Sequence, residues 1–339
     1  MLITSASEFN PPWWNRTDTN TSDRAAFAGT RINLRQVSPE SESIYDLIVA
    51  LHVACNGDWT ALGQKSGVDA SEVRLFTEYA AMFLGNMGNY KSFGDAKFLP
   101  RCTDETVKKL AECSPEATKH YKDCHTALFS FQPSGMMHLG HTEDGHMTTY
   151  YPNSPSITKA EIDAIKDWSE KVALLPENNR LAKTSPGDFQ ILIASANKEI
   201  PADGGDIGKD SVYTIDDGPL KGKKVTLVYG DYSDAMTDIA KNIRSAADNA
   251  DNETQKDMHL AYAKSFETGS VLAFKDSQRY WVKDKGPMVE CNIGFIETYR
   301  DPAGIRGEWE GFASSEFWLH TFNYGAHTLK FLLTLLLRI

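Results

Sequence analysis

After Pro186 the spacing of apolar residues changes, and that change limits the folds open to this chain. Phe189, Ile191 and Ile193 alternate with more polar residues, as do Val212 and Thr214, then Val225, Leu227 and Tyr229. A period of two puts each set on one face of a sheet. Asp203-Gly204-Gly205 and Asp217-Gly218-Pro219 supply turn chemistry between the runs. The connections look too short for crossover helices, so the expected sheet is small and antiparallel.

On either side of these strands the period is helical. Ser38 can cap a helix with Pro39 in its first position and Glu40 at the positive end of its dipole. Ile44, Leu47, Ile48 and Leu51 then recur at helical spacing until Gly57. Asp69 or Ser71 opens a second helix, with Val73, Phe76, Tyr79, Ala80 and Phe83 on its buried stripe and Gly85 at its close. Residues 103–129 read as one or two more. Thr158 and Glu161 have the spacing of a capping box for a helix to Leu174. Beyond the strands, Ile239, Ile243 and Ala247 mark one helix, and Met258, Ala261, Tyr262 and Phe266 another. Separate helical and stranded runs predict an α+β fold, helices packed around a compact sheet.

Composition excludes some functions. A net charge of −11 argues against a nucleic-acid partner, which requires a Lys/Arg-rich face. The five cysteines, Cys55, Cys102, Cys113, Cys124 and Cys291, include no CxxC pair, so neither a disulfide scaffold nor a four-cysteine zinc finger is expected. The first residues lack a basic stretch followed by an apolar core, so no signal peptide is read. A reducing, cytoplasmic setting is the expectation.

The segment HLGHTEDGHMTTYY, residues 138–151, invites reading as a metal site. His141 and His146 are five residues apart, which on a regular helix separates them by roughly 140°. Gly140 and Gly145 flank Thr-Glu-Asp, a turn composition, and Met147-Thr-Thr-Tyr-Tyr is strand-prone. The pair therefore reads as a decoy: a polar surface turn before a strand, with no metal ligand assigned in this chain.

Two other stretches carry more. In NMGNYKSFGDAKF, residues 86–98, glycines alternate with aromatics, a loop composition that can serve tight turns or shape a binding surface. In DKGPMVECNIGFIETYRDPAGIRGEWEGF, residues 284–312, Val289, Cys291, Ile293 and Phe295 form one strand face. Continued parity places Glu297 and Tyr299 on that inward face. A carboxylate and a phenol there must be paired, for instance with Arg300 or Arg306, or must open into a cleft.

Together these segments resemble the dipeptidyl peptidase III family of zinc exopeptidases. MTTYYPNSPSIT, YGDYS and GSVLAFKDSQRYW are further landmarks in the right order, so the resemblance covers about residues 45 to 312. It implies the substrate-binding lobe of a two-lobed metallopeptidase, with helices around a five-stranded barrel-like sheet. It implies release of dipeptides from the N-termini of short peptides, with zinc as cofactor. By position, Glu297 binds the peptide's ammonium and Glu310 joins that subsite. Tyr299 hydrogen-bonds the scissile carbonyl oxygen, and Phe93 lines the cleft.

The family's His-Glu-x-x-Gly-His zinc motif is absent from this sequence, and family chains are roughly twice its length. Residues 1–37 are read as an N-terminal extension, 38–312 as the substrate-binding lobe and 313–339 as a divergent tail. The tail's apolar run, Phe331 to Leu337, is short of the ~20 residues that span a bilayer. The expectation is a dipeptidyl aminopeptidase represented by an incomplete chain, inactive by itself. The alternative is an inactive peptide-binding or regulatory fragment.

Overall fold

A computed structural model describes residues 17–315 apart from 133, 186, 203, 286 and 288. The described residues divide into two compact units, one of 17–39 with 134–315, the other of 40–132. Among the described residues, ten α-helices and six strands make an α+β fold.

The first unit opens with α1 (Thr17–Val37), in the region expected as an N-terminal extension. No apolar stripe announces this helix, because its C-terminal half is buried on several sides. Ile32, Asn33, Leu34, Gln36 and Val37 are all buried, so polar residues interrupt the period.

The second unit holds α2 (Ser41–Ala54), α3 (Trp59–Ser66), α4 (Ala70–Asn86), α5 (Asp104–Ala111) and α6 (Pro115–Leu128). α2 starts later than expected and has no side-chain cap, because the Glu40 carboxylate turns into the core to meet Lys97 at 2.7 Å. Asp69 caps α4 by accepting the Ser71 N–H, and Thr103 and Ser114 cap α5 and α6.

The first unit resumes with α7 (Lys159–Lys171), β1 (Asn179–Lys183), β2 (Phe189–Ala194), β3 (Val212–Thr214) and β4 (Lys224–Asp231). The capping box of α7 is present: Glu161 N–H donates to Thr158 Oγ1 at 3.2 Å and Thr158 N–H to Glu161 Oε2 at 3.0 Å. The sheet differs from the expected five-stranded antiparallel barrel. Its order is β1-β2-β4-β3, with β2 and β4 parallel and the other pairs antiparallel. Residues 195–223 form the crossover, with β3 lying within it as a three-residue edge strand, so the connection is long enough to return the chain in parallel. Ile191 and Leu227 sit in register and pack with Ile162, Ile165 and Trp168 of α7. Residues 148–151, strand-prone by composition, form no strand; Tyr150 and Tyr151 are instead buried in that core.

The chain continues through α8 (Ser233–Asp248), α9 (Glu253–Thr268) and α10 (Val271–Trp281) to β5 (Val289–Glu297) and β6 (Glu308–Ser315). The last two pair antiparallel. They share a second core with α1, α8 and α9, built on Ile239, Ile243, Tyr262, Phe266 and Trp309. Of the stretch expected as a divergent tail, residues 313–315 complete β6 and 316–339 lie outside the described residues. All five cysteines are free. Among the described residues no helix is long and apolar enough to cross a membrane.

Candidate functional site

The β5–β6 ladder begins as its alternation predicts, with Val289, Cys291, Ile293 and Phe295 all buried. Phe295 meets Trp309 edge-on at 5.1 Å between ring centroids, and Phe266 lies 5.4 Å from the same indole. At Phe295/Glu297 the register shifts, a bulge that sequence parity cannot reveal. Beyond it Glu297 is exposed and Tyr299 is 60% exposed, rather than continuing the inward face.

The expected arginine partners go elsewhere. Arg300 Nε donates to Glu308 Oε1 at 3.1 Å, and both side chains are buried. Arg306 lies 3.8 Å from Asp301, also buried. Asp301 closes the intervening loop by accepting the N–H groups of Ala303, Ile305 and Arg306, and the Tyr151 hydroxyl at 2.8 Å. Buried charges with several hydrogen-bond partners tie down the loop, so the ends of β5 and β6 are held without using Glu297.

Tyr299 and Glu310 are brought together: the phenol donates to Glu310 Oε1 at 3.0 Å. Glu297 is the register partner of Glu308, two residues before Glu310 on the same strand face. Burial and the nearby Glu308 and Glu310 carboxylates push the Tyr299 phenol well above its ordinary range, which keeps it a neutral donor. Burial also raises the Glu310 carboxyl; the Tyr299 hydrogen bond opposes this, and the charges of Glu308 and Glu297 add to it. A cation arriving here relieves repulsion among carboxylates and restores lost solvation.

Phe93 belongs to the other unit and is 94% exposed. Its loop has the tight turns and buried contacts of the structural reading. The base is structural: Lys97 pairs with Glu40, Asn89 Nδ2 donates to Glu40 at 2.8 Å, and Tyr90 and Phe98 are buried. Gly94 and Asp95, both at positive φ, turn the tip that carries Phe93.

His141 and His146 bracket a single turn of 3-10 helix, Thr142–Asp144, closed by Gly145 in the left-handed region. Its carboxylates serve α7: Glu143 accepts the Lys159 N–H at 2.7 Å, and Asp144 lies 2.7 Å from Lys159 Nζ. Among the described residues no three His, Cys, Asp or Glu side chains are grouped to hold a metal ion. The donor set around the two histidines therefore does not fit zinc. A groove of about 470 Å³ between α7 and residues 215–220 takes in none of the predicted site residues.

Sequence reasoning offered Arg300 as a partner for Glu297 or Tyr299 but missed the buried residues it stands with beneath this surface, Glu308 and Asn33. One signal for Glu308 was available: in Glu308-Trp309-Glu310 the two glutamates share a strand face.

Residues 120–316 match peptidase family M49. Dipeptidyl peptidase 3 of Dictyostelium discoideum is 38% identical over 292 residues, covering 86% of this chain and 40% of that protein. The Homo sapiens dipeptidyl peptidase 3 is 33% identical over 305 residues, with the same coverage of each. The solved structure of DPP III from Caldithrix abyssi aligns with 93% of this chain and 41% of its own, at 16% identity and a TM-score of 0.48. The chain thus spans about 40% of the length of the curated relatives it matches. With more than half of its residues matched, the chain belongs to peptidase family M49.

Proposed function

We propose that the end of the β5–β6 ladder binds the N-terminal ammonium of a short peptide, as part of a dipeptidyl peptidase of the type its relatives are named for. Glu297 and Glu310 are the carboxylates that face the ammonium; Phe93, exposed on the other unit, is assigned a peptide contact on the resemblance alone. Residues 38–312 act as the substrate-binding lobe, in a cytoplasmic enzyme. Zinc belongs to the complete family enzyme; none of the residues described here is assigned a part in holding it.

The observation that carries this reading is the Tyr299–Glu310 hydrogen bond, with Glu297 exposed nearby. A carboxylate held by a neutral phenol is ready to exchange that donor for a stronger, charged one. When the ammonium takes Glu310, the Tyr299 hydroxyl becomes available to donate to a peptide carbonyl oxygen. Tyr299 then orients the carbonyl and stabilises negative charge developing on it.

Calorimetric titration of the chain with a tetrapeptide, in free-amine and N-acetylated forms, tests the reading. Saturable binding of the free-amine form, weakened at least tenfold by acetylation, is expected. Equal affinity for the two forms would remove the ammonium from the account.

A further inference from the structure

We propose that Glu308, clamped by Arg300 and Asn33, is a positioning residue of this amine site and acts on a bound peptide only through Tyr299 and Glu310. The inference rests on the reading of Tyr299 and Glu310 given above. Glu308 is 2% exposed, so a ligand at the surface does not touch it. It shares a strand face with Glu310 and sits in register with Glu297, which places its charge beneath the ligand-facing groups.

The clamp comes from α1. Asn33 Nδ2 donates to Glu308 Oε1 at 3.2 Å and to the Trp309 carbonyl at 2.9 Å. One turn on, Gln36 Nε2 donates to the Gly307 carbonyl at 3.0 Å, and Gln36 Oε1 accepts the Trp309 N–H at 2.7 Å. Two amide side chains on one helix face thus bond the β6 backbone around Glu308, as a neighbouring strand would. Arg300 reaches the same Oε1 from the loop after β5. Glu308 Oε2 makes no hydrogen bond among the described residues.

The consequence falls on Glu310. Around it stand Glu308 on its own strand, Glu297 on β5, and Tyr299 and Arg300 from the following loop. On α1, Arg31 and Arg35 flank Asn33, and Arg35 is drawn to Asp234 at 2.7 Å. Burial is the first cause of the raised Glu310 carboxyl, and the Glu308 charge adds to it against the Tyr299 hydrogen bond. The same charge helps keep the Tyr299 phenol protonated. Glu308 therefore holds the phenol as a donor and makes Glu310 responsive to an arriving cation.

The test is an NMR titration of the Glu310 carboxyl carbon in the full ¹³C-glutamate-labelled chain, with the free-amine tetrapeptide titrated across the same pH range. Glu308→Gln should lower the Glu310 midpoint by about half a pH unit or more and extend peptide binding to correspondingly lower pH. Asn33→Leu loosens the clamp and should move the midpoint in the same direction by less. Gln36→Leu breaks only backbone contacts, so it should lower the melting temperature and leave the midpoint in place. A folded Glu308→Gln chain with an unmoved midpoint overturns the proposal. Should that variant not fold, equal midpoints for Asn33→Leu and Gln36→Leu do the same. Because the titration needs no peptide, a moved midpoint without peptide binding would count against the amine-site reading alone.

Discussion

The Tyr299 phenol and the Glu310 carboxylate meet at 3.0 Å across the open end of the β5–β6 ladder, one donor facing one acceptor. Substitution at Tyr299 and at Glu297 should therefore have different effects. Tyr299→Phe removes a neutral donor from Glu310 and should change tetrapeptide affinity less than threefold. Glu297→Gln removes a charge from the ammonium's surroundings and should weaken binding about tenfold or more. In a complete M49 enzyme with the same pair, the tyrosine change should lower kcat far more than KM. Calorimetry and steady-state kinetics read the two effects, and a larger affinity loss for Tyr299→Phe would reverse the assignments.

His259 should make stability fall on the acid side. It is 1% exposed on α9, with Nε2 3.5 Å from Cys291 Sγ, and burial pulls its imidazole down to about 4. The unfolded chain, near 6.5 at this residue, then binds the extra proton first. The contribution is fully present above about pH 6.5 and is lost as pH falls from there toward 4, by about 3 kcal/mol in all. Denaturant unfolding from pH 7 to 4 should show this slope, and His259→Gln should flatten it.

Gly29 should not tolerate alanine. A Cβ there would lie 1.8 Å from Trp309 Nε1 and 2.3 Å from Cε2, and the indole is fully buried against Phe266 and Phe295. Elsewhere in a helix the same change gains about 1 kcal/mol. Here overpacking should cost about 3 kcal/mol or more. Urea unfolding monitored by tryptophan fluorescence measures it, and a neutral result would show that α1 can shift freely on β6.

Lys97 and Glu40 form a buried pair at the base of the Phe93 loop. Lys97→Met strands the carboxylate with Asn89 and should destabilise the chain by about 3–5 kcal/mol. Adding Glu40→Gln should recover a large part of that loss. Thermal melts of the single and double variants give the comparison, and equal melts would deny any coupling between the two residues.

Much of the local structure was legible because its causes are local. Asp69 and Thr158, both readable as caps, close their helix starts through side chains reaching two or three residues along the chain. The alternation of Phe189, Ile191 and Ile193 reports one buried face, and all three are buried. The turn at His141–His146 was readable from its glycines, although its task of holding the start of α7 was not. Sheet direction failed because the crossover has no helical period to announce it.

For the candidate site, the sequence by itself offered Glu297 and Tyr299 at the end of a buried strand face, and its resemblance to the family added Glu310 and Phe93. Only the tertiary structure decided which way Glu297 and Tyr299 point, because a one-residue bulge reverses parity. It also decided that Arg300 pairs with Glu308 and that α1 closes the edge of β6. Those contacts join residues up to 276 positions apart, and no local propensity encodes a partner at that distance. Local chemistry selects the groups, whereas long-range burial decides which of them are left facing a ligand.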